Sequence, residues 1–211
     1  MKFKKFFILI LFLITSLISC QIGFCDDVDM FLSEVEHNMN NIQSVQTSFI
    51  QKKYMAMFDM PITIKGKIYI ENPGKFAWMV TDPIKYTLII SKDKVIKWDQ
   101  SNGVKELSLK KNPMFKAMIE QITFWFSGSY ASCKTDYDIK LVQNNPDILE
   151  FTPKEHNPAS QMLKTIALSF QKDKNYISKI KLLEKNSDIT ELFFKDVIIN
   201  GNIKKSVWEI K

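Results

Sequence analysis

Residues 62–70 alternate between two kinds of side chain. Even-numbered positions carry Ile, apart from Gly66, whereas odd-numbered positions carry Thr, Lys or Tyr. A period of two predicts a β-strand with one buried and one solvated face. Further apolar runs follow at residues 76–80, 86–90 and 95–98, separated by turns at Pro73-Gly74 and Asp82-Pro83. Together these runs predict an antiparallel meander.

Two segments have the pattern of helices. Residues 27–41 place apolar side chains at helical spacing, with acidic residues near the N-terminus, where the helix dipole favours them. Residues 113–126 begin with Pro and are apolar around most of the helix, so this second helix needs cover on nearly every side. The remaining predicted strands are residues 44–54, 104–107, 137–143, 148–152, 165–170, 177–183, 189–199 and 206–210. The pattern therefore predicts an α+β fold, with helices laid on one antiparallel sheet.

The loop at residues 55–61 combines three Met with Phe58. Methionine is flexible and fills irregular gaps in protein cores, which is one interpretation of this loop. The other is a soft exposed surface that adapts to a partner or to lipid. The sequence leaves both interpretations open.

Length and composition bound the possible classes. With 211 residues, 45% of them hydrophobic, the chain can bury one substantial core and is predicted to form a single domain. Every basic residue is Lys, so no guanidinium is available to clamp a phosphate. The net charge of +6 falls to 6 − 3 = +3 without the first 25 residues, which contain three Lys and no acid. This charge is too small to indicate nucleic-acid binding.

Residues 1–25 have the pattern of an N-terminal export signal. Lysines precede an apolar run at residues 6–18 that is too short to span a membrane. Cleavage before Cys20, which follows a Leu-Ile-Ser sequence similar to a bacterial lipobox, would give an acylated lipoprotein. Cleavage after Cys25 would give a free domain at residues 26–211, and we favour this form.

Motifs for catalysis or metal binding are sparse. Only two His residues, His37 and His156, are available as bases, and each has polar neighbours typical of a surface. No Cys-x-x-Cys, His-Glu-x-x-His or Gly-rich phosphate loop occurs. We therefore predict no enzyme, no catalytic residue, no metal and no cofactor.

Several segments resemble the LolA family of periplasmic outer-membrane lipoprotein carriers. The most specific is residues 66–78, with the sequence Gly-Lys-Ile-Tyr-Ile-Glu-Asn-Pro-Gly-Lys-Phe-Ala-Trp, preceded by Phe-Ile-Gln at residues 49–51. Residues 89–91, 94–99, 149–154 and 200–203 also follow the family's order. The resemblance covers nearly all of the chain after the predicted signal.

The resemblance implies an unclosed antiparallel β-barrel whose apolar concave face is covered by helices. It also implies that the protein binds the acyl chains of lipoproteins in a hydrophobic cavity and moves them from the inner to the outer membrane. The implied partners are acylated lipoproteins, an inner-membrane lipoprotein-releasing ABC transporter and an outer-membrane acceptor, and the chain is expected to act as a periplasmic monomer.

The resemblance and the strand pattern together suggest site residues. The predicted cavity residues of the sheet are Phe76, Trp78, Val80, Leu88, Ile90, Ile96, Trp98, Leu168 and Phe170. The predicted lid residues are Phe115, Met118, Ile122 and Phe126. Family members typically carry an Arg latch before the Pro of the specific segment, and Asn72 occupies that position here. A latch at Asn72 would be shorter and uncharged.

Two alternatives remain open on the sequence. A LolB-like acceptor would share the fold but be anchored to the outer membrane through an acylated Cys20. An envelope enzyme of unrelated chemistry would use His37 or His156. The N-terminus of the processed protein separates the carrier from the anchored acceptor.

Overall fold

A computed structural model of the chain describes residues 27–91, 94–108 and 124–210. The elements are α1 (Asp27–Met39), β1 (Ser44–Tyr54), β2 (Ile62–Glu71), β3 (Lys75–Asp82), β4 (Tyr86–Ser91), β5 (Lys94–Asp99), β6 (Gly103–Ser108), β7 (Tyr137–Asn144), β8 (Asp147–Pro153), β9 (Leu163–Phe170), β10 (Ile177–Glu184) and β11 (Ile189–Ile199). Short 3₁₀ helices lie at Tyr130–Cys133, Pro158–Gln161 and Lys205–Trp208.

All eleven strands belong to one antiparallel sheet, in the order β6-β5-β4-β3-β2-β1-β11-β10-β9-β8-β7. The sheet is open, because β6 and β7 are its two edges and do not pair with each other. We call β1 to β6 the first arm and β7 to β11 the second arm. The arms meet where β1 pairs with β11 at the centre. The predicted unclosed antiparallel fold is confirmed.

The strand register sorts the side chains onto two faces. Directly opposed residues in an antiparallel pair share a face, and Trp78 of β3 opposes Ile68 of β2 and Leu88 of β4. The same face continues through both arms, with Phe49 opposing Phe194 at the centre. The side chains on this face form one buried cluster, and we call this side of the sheet the apolar face. The isoleucine alternation of residues 62–70 therefore predicted the correct strand and face.

Helix α1 packs on the apolar face through its buried side chains Phe31, Leu32, Val35 and Met39. Charged residues on its exposed side tie it to the second arm. Lys174 Nζ lies 2.7 Å from Glu34 Oε2, and Lys134 pairs with Asp29. Gly128 approaches Met39 so closely that an added Cβ would lie 2.7 Å from the Met39 Cβ. The helix is thus held over the β7 to β10 side of the sheet.

The predicted last strand, residues 206–210, is wrong. The chain leaves β11 and forms the 3₁₀ helix Lys205–Trp208 instead. Both edges of β11 are already paired, one with β1 and the other with β10, so the residues after β11 have no free strand edge beside them. They fold back instead, and Lys75 Nζ lies 5.5 Å from the centre of the Trp208 ring. The predicted helix at 113–126 lies outside the described residues up to position 123.

Candidate functional site

The centre of the first arm holds a row of aromatic side chains on the apolar face. The ring centroids of Phe49 and Trp78 are 4.5 Å apart, and those of Phe76 and Trp78 are 6.4 Å apart. Gly66 makes room for this row. A Cβ on Gly66 would lie 2.7 Å from the Phe49 ring and 2.0 Å from the Met79 carbonyl oxygen. Any side chain at position 66 would therefore displace the ring or the neighbouring strand.

Exposure of this face rises along the strands toward the loop between β1 and β2. Ile70, Phe76 and Ile90 are buried at the far end. Toward the loop, four apolar side chains pack against the cluster but remain partly exposed, and we call them the rim: Ile64, Trp78, Val80 and Tyr86. Burial raises the pKa of the Tyr86 phenol, which agrees with its half-covered position. The rim therefore leaves apolar surface partly exposed at this end of the apolar face.

The second arm is filled by aromatic rings from outside the sheet. Tyr130 is fully buried, and its ring packs edge-on against Phe124, Phe151 and Phe170, at centroid distances of 5.4, 5.7 and 6.0 Å. Its hydroxyl donates a hydrogen bond to the carbonyl oxygen of Trp125. Burial also raises the pKa of this phenol well above its usual value, so it stays neutral. This network packs the part of the second arm around Phe151 and Phe170 as an ordinary core.

The chain was also compared with known proteins. The profile of the family described as outer membrane lipoprotein carrier protein LolA matches residues 40–211. The chain belongs to the LolA family. This confirms the resemblance drawn from residues 66–78. A curated LolA relative, the outer-membrane lipoprotein carrier protein of Chromohalobacter salexigens, is 22% identical over 163 residues, covering 72% of this chain and 73% of the relative.

Solved structures match this chain at low sequence identity. A chain of the Pseudomonas aeruginosa MucA/MucB complex matches with a TM-score of 0.54 and 12% identity, covering 88% of this chain and 62% of its own length. A LolA superfamily protein from Nitrosomonas europaea matches with a TM-score of 0.42 and 10% identity, covering 86% and 96%. This chain thus spans less than two thirds of the Pseudomonas chain. At 12% identity the Pseudomonas match bears on the fold alone.

The structure separates the predicted LolA cavity residues into three groups. Five lie together on the apolar face of the first arm: Phe76, Trp78, Val80, Leu88 and Ile90. Leu168 and Phe170 lie on the apolar face of the second arm, where Phe170 packs against Phe31 and Tyr130. They are buried in the packed core rather than beside the rim.

Ile96 and Trp98 require a correction. Ile96 opposes Ile89 and Trp98 opposes Thr87, whereas Leu88 opposes Lys97. The register therefore places Ile96 and Trp98 on the opposite face of the sheet from the other predicted cavity residues. The sequence of β5 is apolar at both parities, so it did not reveal which side chains face inward.

The predicted LolA lid is described only in part. Phe115, Met118 and Ile122 lie outside the described residues, as does the predicted lipidation site Cys20. Phe126 is buried, and its ring centroid lies 5.3 Å from that of Phe194, over the central strand β11. This end of the predicted lid segment thus rests on the apolar face.

Asn72 bonds to the segment between α1 and β1 and not to the described part of the predicted lid. Its Nδ2 donates a hydrogen bond to the Ile42 carbonyl oxygen at 2.8 Å, and its backbone N–H donates to the Gln43 carbonyl oxygen at 2.8 Å. Residues 42 and 43 connect α1 to β1. Asn72 therefore ties the turn after β2 to the base of the covering helix. Its role as a latch stays a prediction.

Two residues important to the site were missing from the sequence prediction. Phe49 belongs to a strand in which Lys, Gln and Ser are frequent, and only its register with Gly66 and Phe194 reveals that it faces inward. Gly66 breaks the isoleucine alternation at residues 62–70, and that interruption was the available signal. A Gly inside a strand often marks a close approach by a neighbouring group.

Polar groups that could support catalysis or bind a metal lie away from the rim. His37 and His156 are both exposed, and His156 Nε2 lies 3.3 Å from Asp136 Oδ1. Among residues 27–91, 94–108 and 124–210, no three His, Cys, Asp or Glu side chains converge as metal ligands. In the same part of the chain, no helix has both the length and the apolar character needed to cross a bilayer.

Proposed function

We propose that this chain is a periplasmic carrier that binds lipoprotein acyl chains on the apolar face of its first arm and moves them from the inner to the outer membrane. The observation that carries the proposal is the partly exposed rim, which adjoins buried apolar residues in a member of the LolA family. The family supports a carrier or binding role rather than an enzymatic one.

The chemistry of acyl chains suits this face. Removing one methylene from water gains about 0.8 kcal/mol, so a lipoprotein anchor with two or three chains requires extensive cover. Aromatic and aliphatic side chains provide that cover without demanding one exact ligand shape. Trp78 and Val80 offer such a surface, and Phe76, Leu88 and Ile90 extend it inward. In this proposal the acyl chains bury the apolar surface that remains partly exposed at Trp78 and Val80.

The direction of transport requires partners. The sequence contains no Gly-rich phosphate loop, so we assign the energy-consuming step to an inner-membrane lipoprotein-releasing ABC transporter. Delivery then follows from tighter binding of the cargo by an outer-membrane acceptor. The carrier is exported through the signal at residues 1–25 and acts as a monomer at residues 26–211.

A pair of charge substitutions tests the site. Trp78→Asp places a carboxylate on the rim and is expected to weaken binding of a fluorescent fatty-acid probe and of an acylated lipoprotein by at least about tenfold. Lys67→Asp is the matched control, because Lys67 is exposed on the opposite face of the neighbouring strand. Val80→Asp repeats the test at a second rim position. Equal losses in Trp78→Asp and Lys67→Asp would contradict a site on the apolar face.

A lipid-extraction assay tests the transport step. The exported protein is expected to remove an acylated lipoprotein from inner-membrane vesicles and to remain in the soluble fraction with it. Mass measurement of its N-terminus distinguishes the two forms that the sequence left open. A start at Asp26 supports the carrier, whereas an acylated Cys20 supports the anchored, LolB-like acceptor.

A further inference from the structure

The loop between β1 and β2 exposes large apolar side chains instead of burying them. Met57 is 78% exposed, Phe58 is 53% exposed and Met60 is 79% exposed. Ile84, in the turn between β3 and β4, is 67% exposed. We call these four side chains the apolar tip. Both connections lie at the same end of the sheet, because β1 to β4 are successive antiparallel strands.

The side chains of the apolar tip are not packed as they would be in a protein core. Its side chains project from two neighbouring connections instead of lying flat on a strand face, and they expose hydrophobic surface that a soluble protein normally buries. Three of the four come from a single loop of seven residues, 55–61. Of the two interpretations that the sequence left open, the exposure favours the adaptable surface over gap filling.

The surroundings of the tip carry lysines whose long side chains can reach polar headgroups. Lys52, Lys53, Lys65 and Lys85 flank the tip, together with the acids Asp59, Asp82 and Glu184, which leaves a charge of 4 − 3 = +1. Lys53 pairs with Glu184 at 2.8 Å, and Lys65 lies 3.7 Å from Asp82. Apolar side chains bordered by lysines are typical of proteins that insert shallowly into a bilayer interface.

The tip is also continuous with the rim. Ile64 lies two residues after Ile62, the first residue of β2, and Tyr86 is the first residue of β4, directly after the turn that holds Ile84. A surface on the tip would therefore lie against the open edge of the apolar face. An acyl chain could pass between that surface and the face without crossing water.

We propose that the apolar tip inserts into the headgroup region of a lipid bilayer and brings the rim against the membrane. The occupant of this surface is the bilayer itself rather than a protein partner. The inference rests on the proposed function, since it supplies the path by which cargo enters or leaves the apolar face. Insertion is driven mainly by apolar side chains, because the surrounding charge is small.

Vesicle binding tests this inference. The exported protein, without cargo, is sedimented with vesicles of phosphatidylethanolamine and phosphatidylglycerol. A triple variant, Met57→Ser with Phe58→Ser and Met60→Ser, is expected to lose at least about tenfold in vesicle partitioning, since three inserting side chains are removed. The control is Ile198→Ser, because Ile198 is 53% exposed, like Phe58, but lies near the opposite end of β11 on the other face. All variants keep the same N-terminus, so differences between them report the tip.

Fluorescence adds a direct reading of depth. In Phe58→Trp, vesicles are expected to shift the added tryptophan emission to shorter wavelength, and brominated acyl chains are expected to quench it. The triple Ser variant should unfold at the same urea concentration as the wild type, because its changed side chains are already exposed. Vesicle binding that is equal in the wild type, the triple variant and Ile198→Ser would overturn the inference, as would no binding at all.

The same samples keep this inference separate from the proposed function. The fatty-acid probe is titrated in solution without vesicles. If the wild type binds the probe but does not bind vesicles, only the membrane inference is overturned. Failure of the wild type to bind the probe would instead overturn the proposed function.

Discussion

In the second arm, rings that do not belong to the sheet cover the apolar face, and Tyr130 contacts both Phe151 and Phe170. In the first arm, the aromatic contacts at the rim are made within the sheet, between Phe49 and Trp78, and Trp78 stays partly exposed. Similar alternation of apolar residues thus produces a packed core around Tyr130 in one arm and a partly exposed apolar surface at Trp78 in the other.

The difference suggests a division of labour between stability and binding. A ring that is surrounded by other rings contributes its burial to the folded state. A ring that retains exposed surface contributes less to folding but is available to a ligand. The sheet contains both kinds of ring, since β1 and β11 join the two arms into one continuous sheet.

Phe170→Ala should have the largest effect on stability. Phe170 is buried against Phe31 and Tyr130, so its truncation should lower the free energy of unfolding by about 3–5 kcal/mol. Trp78→Ala should cost less stability and weaken fatty-acid binding more. Urea unfolding and probe titration on both variants measure the contrast. Equal stability losses in the two variants would remove the distinction between the arms.

Gly66→Ala should destabilise the first arm by about 1–3 kcal/mol, because its new methyl group meets the Phe49 ring and the β3 backbone. Lys67→Ala is the control, since the next residue along β2 points to the opposite face. Urea unfolding compares the two variants. If Gly66→Ala is as stable as the control, the Phe49 ring does not require a glycine at position 66.

The second arm should weaken in alkali. Burial raises the pKa of the Cys133 thiol from 9.0 to about 11. Between pH 9 and 11 the thiol stays protonated in the folded state but ionises in the unfolded chain. The folded protein therefore keeps its full stability below pH 9 and loses stability as the pH rises toward 11. The expected loss is about 2–3 kcal/mol, since each pKa unit corresponds to about 1.4 kcal/mol. Unfolding curves of Cys133→Ala should depend less steeply on pH across this range, and an unchanged slope would refute the assignment.

The smallest effect is expected at the edge of the first arm, in acid. Hydrogen bonds from the Asn102 side chain and from the backbone of the β5–β6 turn lower the pKa of Asp99 from 3.8 to about 2. Its contribution to stability is therefore present above about pH 4 and is lost as the pH falls toward 2. Asp99→Ala should remove a slight part of the acid dependence, with Asp59→Ala as an exposed loop control. If the acid unfolding curves of Asp99→Ala and Asp59→Ala differ from the wild type by the same amount, the contribution assigned to Asp99 is wrong.

Much of the fold could be predicted from periodicity. The alternation of residues 62–70 identified β2 and its buried face, and turn residues such as Pro73-Gly74 separated the strands correctly. The final strand at 206–210 was wrong because strand formation needs a free neighbour, which a local pattern does not reveal. The order in which strands pair is a property of the whole chain.

The site was harder to predict than the fold. Phe76 and Trp78 could be assigned from the family segment, whereas Ile96 and Trp98 could not be assigned to a face, because β5 is apolar at both parities. Phe170 looked equivalent to Trp78 in sequence. Among the described residues, Tyr130, forty residues earlier, covers Phe170, whereas Trp78 stays partly exposed.

The pairing of β1 with β11 also governs how the molecule can assemble. These two longest strands come from opposite ends of the domain, so β1 has only one neighbour until the last strand has been synthesised. Contacts between such distant segments form slowly, and an unpaired edge is prone to aggregate meanwhile. A truncation that removes β11 would therefore disrupt both arms at once, although it deletes only the final portion of the chain.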